Sequence, residues 1–235
     1  FSTKNLYPAK AEEFIRSIPK KIKYIDYNLN IFNKLDNFNH RIKENKNHIL
    51  DLVSDYPKLK SAYSTNAKRN LKKSEQHQLQ ILKNLKPRDL VNLFKENKGS
   101  ELNVFTDKEY RTIERLMYNS IHKGKGIIYG VYSKNNQLTA GAFFVKYNGH
   151  LVFLFSGSNA ESRENAAMFF LVDSIIKEYS NSKLTLDFEG SNDPSLARFY
   201  KGFGSKEIKY NRLIINKMIF PFNHLIDYYF KRIKG

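Results

Sequence analysis

The sequence predicts an α/β chain of the α+β kind, with a mixed, mainly antiparallel sheet flanked by helices. Three observations carry that expectation. Residues 106–123 open on TDKE, in which Thr106 and Glu109 can satisfy each other's backbone donors as a helix capping box. Residues 126–156 then read as three short strands separated by turn signals, the second turn being Asn148-Gly149. Residues 184–204, LTLDFEGSNDPSLARFYKGFG, read as a strand ending in carboxylates, a capped turn and a short helix.

Taken in order, 11–18 is expected to be a helix ended by Pro19, and 23–31 an alternating strand. A helix follows over about 40–55, with Ile42, Ile49, Leu52, Val53 and Tyr56 as its apolar stripe. Ser64 is placed to cap a helix whose Lys68, Arg69, Lys72 and Lys73 make a dense basic surface. A strand is expected over 78–85, and Pro87 opens a helix carrying Leu90, Val91 and Phe94. The stretch 98–100 reads as a loop and as the domain boundary, dividing 1–98, a partial α/β half with the basic helix, from 99–235. In the second part the capping-box helix buries Tyr110, Ile113, Leu116, Met117 and Ile121, and the strands are 126–132, 138–147 and 150–156. Residues 151–155 are apolar throughout, which suits a central strand covered on both faces. A helix over 160–179 presents Met168, Leu171, Val172, Ile175 and Tyr179. Along the next strand Leu184, Leu186 and Phe188 share one face, while Thr185, Asp187 and Glu189 share the other, so the two acids point the same way. Gly190 and Ser191 break it, Asn192 or Asp193 caps a helix begun by Pro194, and Gly202 and Gly204 stop that helix. A strand over 206–216 and a helix over 222–233 complete the chain.

Composition narrows the chemistry. With no cysteine, disulfides, thiolate nucleophiles and cysteine-bound metals are excluded together. The six histidines are scattered without ligand spacing, so no metal is expected. No phosphate-binding Walker loop, dinucleotide fingerprint or nucleophile elbow occurs. No apolar run reaches the roughly 20 residues that span a bilayer, and no signal-peptide pattern opens the chain, which fits a cytoplasmic protein. The start at Phe1 reads as a trimmed or partial product. A net charge of +17 gives a field that attracts phosphates, RNA or anionic headgroups without choosing among them.

The order helix, antiparallel meander, helix, strand, short helix, strand resembles the GNAT acyltransferase fold. Three segments make the resemblance specific to its FemABX-like branch, which includes peptidoglycan-bridge aminoacyltransferases: YSTNAKRNLKKSE at Tyr63, FSGSNAESRENAAMFFLVDSII at Phe155 and LDFEGSNDPSLARFYKGFGSK at Leu186. The resemblance covers roughly 61–216, with the residues before it fitting the tail of an incomplete GNAT-like half.

That resemblance implies a transferase carrying an acyl group from acetyl-CoA or another acyl-CoA to a primary amine, without a covalent enzyme intermediate. Its alternative donor is aminoacyl-tRNA, with a cell-wall precursor as acceptor. It also implies site residues. The loop 157–165 would cradle the carrier's pyrophosphate through Gly157, Ser158, Asn159, Ser162, Arg163 and Asn165, with Asn192 beside it, although the glycine-rich run usual for coenzyme A is absent. Helix capping explains the same Ser and Asn residues. Tyr200 falls where the family places a general acid, and it also reads as a core aromatic beside Phe199 and Phe203. Glu189, with Asp187, is the candidate base, the alternative being ion pairs with Arg198 or Lys201. Lys68, Arg69 and Lys73 are candidate contacts to carrier phosphates or a tRNA backbone, or simply a solvated face. Two readings from other classes stand beside these: a non-catalytic RNA-binding protein, and a membrane-surface protein using the aromatic and basic segment after Met218.

Overall fold

The computed structural model of the chain describes residues 8–33, 35, 41–103, 105–190, 192–226 and 228. It divides into a smaller unit, Phe1–Asn47 with Ile208–Gly235, and a larger one, His48–Glu207.

In the larger unit the meander forms as its turns dictate: β4 (Gly126–Tyr132), β5 (Leu138–Tyr147) and β6 (His150–Ser158) pair antiparallel in sequence order. Asn148 and Gly149 both have positive φ, as the tightest hairpin turn demands. β6 then pairs in parallel with β7 (Thr185–Gly190), a connection made by α8 (Ala167–Tyr179). With β2 (Arg41–Asp51), whose last residues belong to this unit, and β3 (Gln80–Lys83), the order is β2-β7-β6-β5-β4-β3.

Period-two alternation divides the core between the sheet's faces. Tyr129, Val131, Ala140, Ala142 and Phe144 pack with α8, α2 (Tyr56–Ser61) and α3 (Thr65–Glu75). Ile128 and Phe143 pack instead with α4 (Pro87–Phe94) and α6 (Asp107–His122). Each fully buried side chain such as Leu171 or Ile175 contributes roughly 1.5–3 kcal/mol. The capping box of α6 is present, with Thr106 and Glu109 each accepting from the other's backbone N–H.

In the smaller unit β1 (Tyr24–Asn28) pairs antiparallel with β8 (Lys206–Asn216), and β8 neighbours β2. With α1 (Pro8–Arg16) they bury Ala11, Ile15, Leu29, Leu213 and Ile215. Arg212 clasps Asp26 with two parallel bonds, Nε to Oδ1 and Nη2 to Oδ2, both 2.7 Å.

The helix expected over 40–55 is instead strand β2, followed by the short helix α2. Its inward residues after Asn47 are His48, Leu50 and Leu52, a period of two that was disguised because one of them is a polar histidine. Val53, assigned to the apolar stripe, is 59% exposed. The loop expected at 98–100 is helical: a π-helical turn, Lys95–Gly99, joins α4 to α5 (Ser100–Leu102). The helix expected over 160–179 is interrupted, α7 (Glu161–Glu164) stopping before α8. Asn165 accepts from the Ala167 N–H at 3.0 Å and restarts the helix, and Ala166 takes φ +57°. The final strand matches its expected bounds, and residues 222–226 and 228 are helical, while the remainder of the helix expected over 222–233 lies outside the described residues.

Asp26→Ala should destabilise the protein by about 3–5 kcal/mol, because it strands a largely buried guanidinium. Replacing both partners, Asp26→Leu with Arg212→Met, should recover much of that loss. Urea unfolding of the single and double variants measures both.

Candidate active site

One extra residue in β6 builds the site. Phe144 pairs with Phe153 and Phe143 with Phe155, so Leu154 is bulged out of the ladder, and it is 48% exposed. Neighbouring Phe143 and Phe144 face opposite sides, so Phe153 and Phe155 must as well. Phe153 stays with the α8 face, whereas Phe155 turns to Phe94 of α4, ring centroids 4.9 Å apart. The β6–β7 register runs only from His150↔Thr185 to Val152↔Asp187, and β6 continues past it to Ser158.

A cavity of about 600 Å³ lies along this continuation. One wall is Phe153, Ser156, Gly157 and Ser158 of β6; another is Asp193, Leu196, Phe199 and Tyr200, in and just before α9 (Pro194–Lys201). Ala166, Met168 and Phe169 bring the first turn of α8 to the cavity, where the helix dipole presents its positive end. Lys98 and Arg163 add two cationic side chains, both on exposed residues. Lys98 pairs with Glu101 at 3.0 Å, and that contact, with Arg163 nearby, holds the Glu101 carboxyl below its usual range. The cavity therefore joins an apolar, aromatic wall to a positive edge, a combination suited to an acyl group bearing an anionic handle.

Tyr200 is 8% exposed, stacked on Phe188 at 4.6 Å and set edge-on to Phe153 at 6.2 Å. Burial, reinforced by the Asp193 charge, pushes its phenol up to about 12. At neutral pH it is a proton donor. Asp193 accepts from the N–H groups of Ser195 (2.7 Å) and Leu196 (3.2 Å), which hold its carboxyl below the usual range. Asp193 is the carboxylate in the lining, and it stays ionised.

Of the residues singled out from the sequence, Gly157, Ser158, Ser162, Arg163 and Tyr200 come together in the cavity lining, whereas Asn159, Asn165, Asn192, Asp187, Glu189, Lys68, Arg69 and Lys73 are outside it. Asn159 accepts from the Ser162 N–H at 3.0 Å, so capping is its visible task, as it is for Asn165. Gly157 serves packing as well, since a Cβ there would sit 2.9 Å from the Phe94 backbone nitrogen. Asp187 and Glu189 do not keep a common strand face. Asp187 Oδ1 accepts the Glu189 N–H at 2.9 Å, and Glu189 adopts φ +61°, which ends the alternation. Lys68, Arg69, Lys72 and Lys73 are exposed on α3, the first bonded to the Ser61 carbonyl and the second to Asn66, while Asn70 of the same helix reaches the cavity. Sequence reasoning missed Lys98, Asn70 and Ser156 as site residues, and saw in Asp193 only a cap.

No protein-family model matches the chain, and no curated protein does. Solved structures do. FemX superposes with a TM-score of 0.59 at 10% identity, over 81% of this chain and 64% of FemX, so the chain spans somewhat under two thirds of that protein. A conserved protein of unknown function from Staphylococcus epidermidis gives 0.53 at 12% identity, over 92% and 83% of the two chains. L-PGS from Bacillus licheniformis gives 0.50 at 12%, over 83% and 66%. The chain shares their fold, the one to which its sequence segments pointed.

A phenol titrating near 12 keeps its proton in the native state after the unfolded chain, with an ordinary value near 10, has begun to lose it. The stability Tyr200 contributes is thus complete below about pH 10 and is lost as pH rises through about 12. Tyr200→Phe should reduce the alkaline loss of stability by about 2–3 kcal/mol. Urea unfolding of both proteins across that range measures the difference.

Proposed function

We propose that the chain is an acyltransferase that holds an activated, phosphate-bearing acyl donor in the β6–α9 cavity and passes its acyl group to an amine or hydroxyl acceptor. The observation that supports this most directly is the cavity itself, whose lining combines the α8 N-terminus, Lys98 and Arg163 with the aromatic residues and Tyr200. The donor's anionic part would lie against the helix end and the two cations, and its acyl carbonyl near Tyr200. Attack by the acceptor forms the new bond to the carbonyl carbon and a tetrahedral oxyanion. Collapse expels the carrier, and the proton lost by the acceptor is balanced by one delivered to the leaving atom. Tyr200 is the group we assign to that delivery, its phenolate then taking up the proton the acceptor loses, and Asp193 would orient the acceptor's N–H or O–H.

The chemistry of Tyr200 favours an oxygen ester as donor. A thiolate leaves readily without a proton, and a phenol pushed to about 12 protonates it poorly. A sugar alkoxide is a far stronger base than a thiolate and needs a proton to leave, which the protonated Tyr200 can supply. This supports aminoacyl-tRNA, in keeping with the FemABX-like segments, the fold shared with FemX and L-PGS, and the net charge of +17. An acyl-CoA donor is the second reading, favoured by Ser158 at the end of β6 and by Ser162 and Arg163 of α7.

The test offers the protein a pool of radiolabelled aminoacyl-tRNA with lipid or cell-wall-precursor acceptors, and in parallel acetyl-CoA with an amine panel. Labelled product from the tRNA pool is expected, reduced roughly a hundredfold or more by Tyr200→Phe, with donor binding weakened by Arg163→Glu. Product from acetyl-CoA alone would shift the assignment to the second reading. Binding of neither donor would overturn both.

A further inference from the structure

We propose that the smaller unit carries a docking surface for an anionic phospholipid bilayer, formed where the end of β8 meets the turn before β1. This stands apart from the acyl-transfer reading. The Lys217 N–H donates to the Lys23 carbonyl at 2.7 Å, one step beyond the Tyr24↔Asn216 pair, so Lys217 and Lys23 meet where the two segments leave the sheet. The second segment is fastened in place. Asn216 Oδ1 accepts from the Met218 N–H at 3.1 Å, and its Nδ2 donates to the Asn223 carbonyl at 2.9 Å. The Asn223 and Leu225 N–H groups close turns onto Ile219 and Pro221.

What this ordered edge shows to solvent is unusual for a free surface. Ile219 is 75% exposed, Phe220 78%, Phe222 52% and Ile22 41%. Beside them Lys20, Lys21, Lys23 and Lys217 are exposed, and among the described residues none has a carboxylate partner. Large apolar side chains at this exposure, interleaved with exposed ammonium groups, match the two layers of an anionic bilayer surface: acyl boundary for the rings and isoleucines, phosphate plane for the lysines. A nucleic acid would satisfy the lysines and leave the isoleucines in water. A second copy of this chain, itself at +17, would bring like charge against like.

The chain contains no tryptophan, so Phe220→Trp introduces a single, selectively excited tryptophan at the most exposed of these positions. Its emission should shift to the blue, and be quenched by brominated acyl chains, with vesicles of equal parts phosphatidylcholine and phosphatidylglycerol but not with phosphatidylcholine alone. Lys21→Gln, Lys23→Gln and Lys217→Gln should each lower the partition roughly fivefold, and added salt should lower it further. Flotation of the unsubstituted protein with the same vesicles gives the same reading without the reporter. Unmoved emission with both vesicles, equal binding to both, or a blue shift that grows with protein concentration in the absence of lipid would each overturn the proposal, the last by making a second copy the occupant.

Discussion

The bulge at Leu154 is the constraint on which the candidate site depends. A regular ladder would keep Phe153 and Phe155 on one face, with β6 continuing alongside β7. The added residue places Phe155 against Phe94 instead, so the end of β6 is held by α4 while its beginning is held by β7. The space beside that end becomes the cavity. Both packing partners are needed: the close approach of α4 to β6 allows no side chain at Gly157, and the stacked rings of Phe153, Phe188 and Tyr200 form the opposite wall.

Electrostatics then gives the cavity a direction. The interrupted helix puts a fresh N-terminus, that of α8, at the cavity, where an unbroken helix over 160–179 would have placed a mid-helix turn with its N–H groups already bonded. Asn165 sustains the interruption, and Ala166 accepts a left-handed backbone that costs an alanine about 1–2 kcal/mol. Strain of this kind persists where the surroundings over-determine it. Lys98 and Arg163 join that helix end in the lining, together with the buried, protonated Tyr200.

Much of the fold was legible because local chemistry and tertiary structure agree. The capping box at Thr106, the Asn148-Gly149 hairpin, the Leu184-Leu186-Phe188 alternation and the Pro194 helix all formed as their residues dictate. The failures have physical causes. In β2 the buried His48 and Asn45, three residues apart and so on opposite faces, hid a strand that buries polar side chains. At 165–166 the chain breaks a helix through a side-chain cap and a positive φ in alanine, neither of which periodicity registers. Of the cavity lining, Ser158, Ser162, Arg163 and Tyr200 were reached through the resemblance of their segments to a known fold. Lys98 and Asn70 were not, because they reach the cavity only through the packing of elements distant in sequence. Glu189 lies outside the cavity lining, and the positive φ of its backbone is a feature that period two does not register.

Amide hydrogen exchange with and without a bound donor tests the central claim most directly. A non-hydrolysable, amide-linked aminoacyl-tRNA and acetyl-CoA serve as the two probes, each at saturating concentration. If the opening beside β6 holds the donor, protection should appear at Ser156–Ser158 and in the first turn of α8, Met168–Phe170, with at least one of the probes. Tight binding with protection confined to the exposed face of α3, or to the smaller unit, would contradict the account.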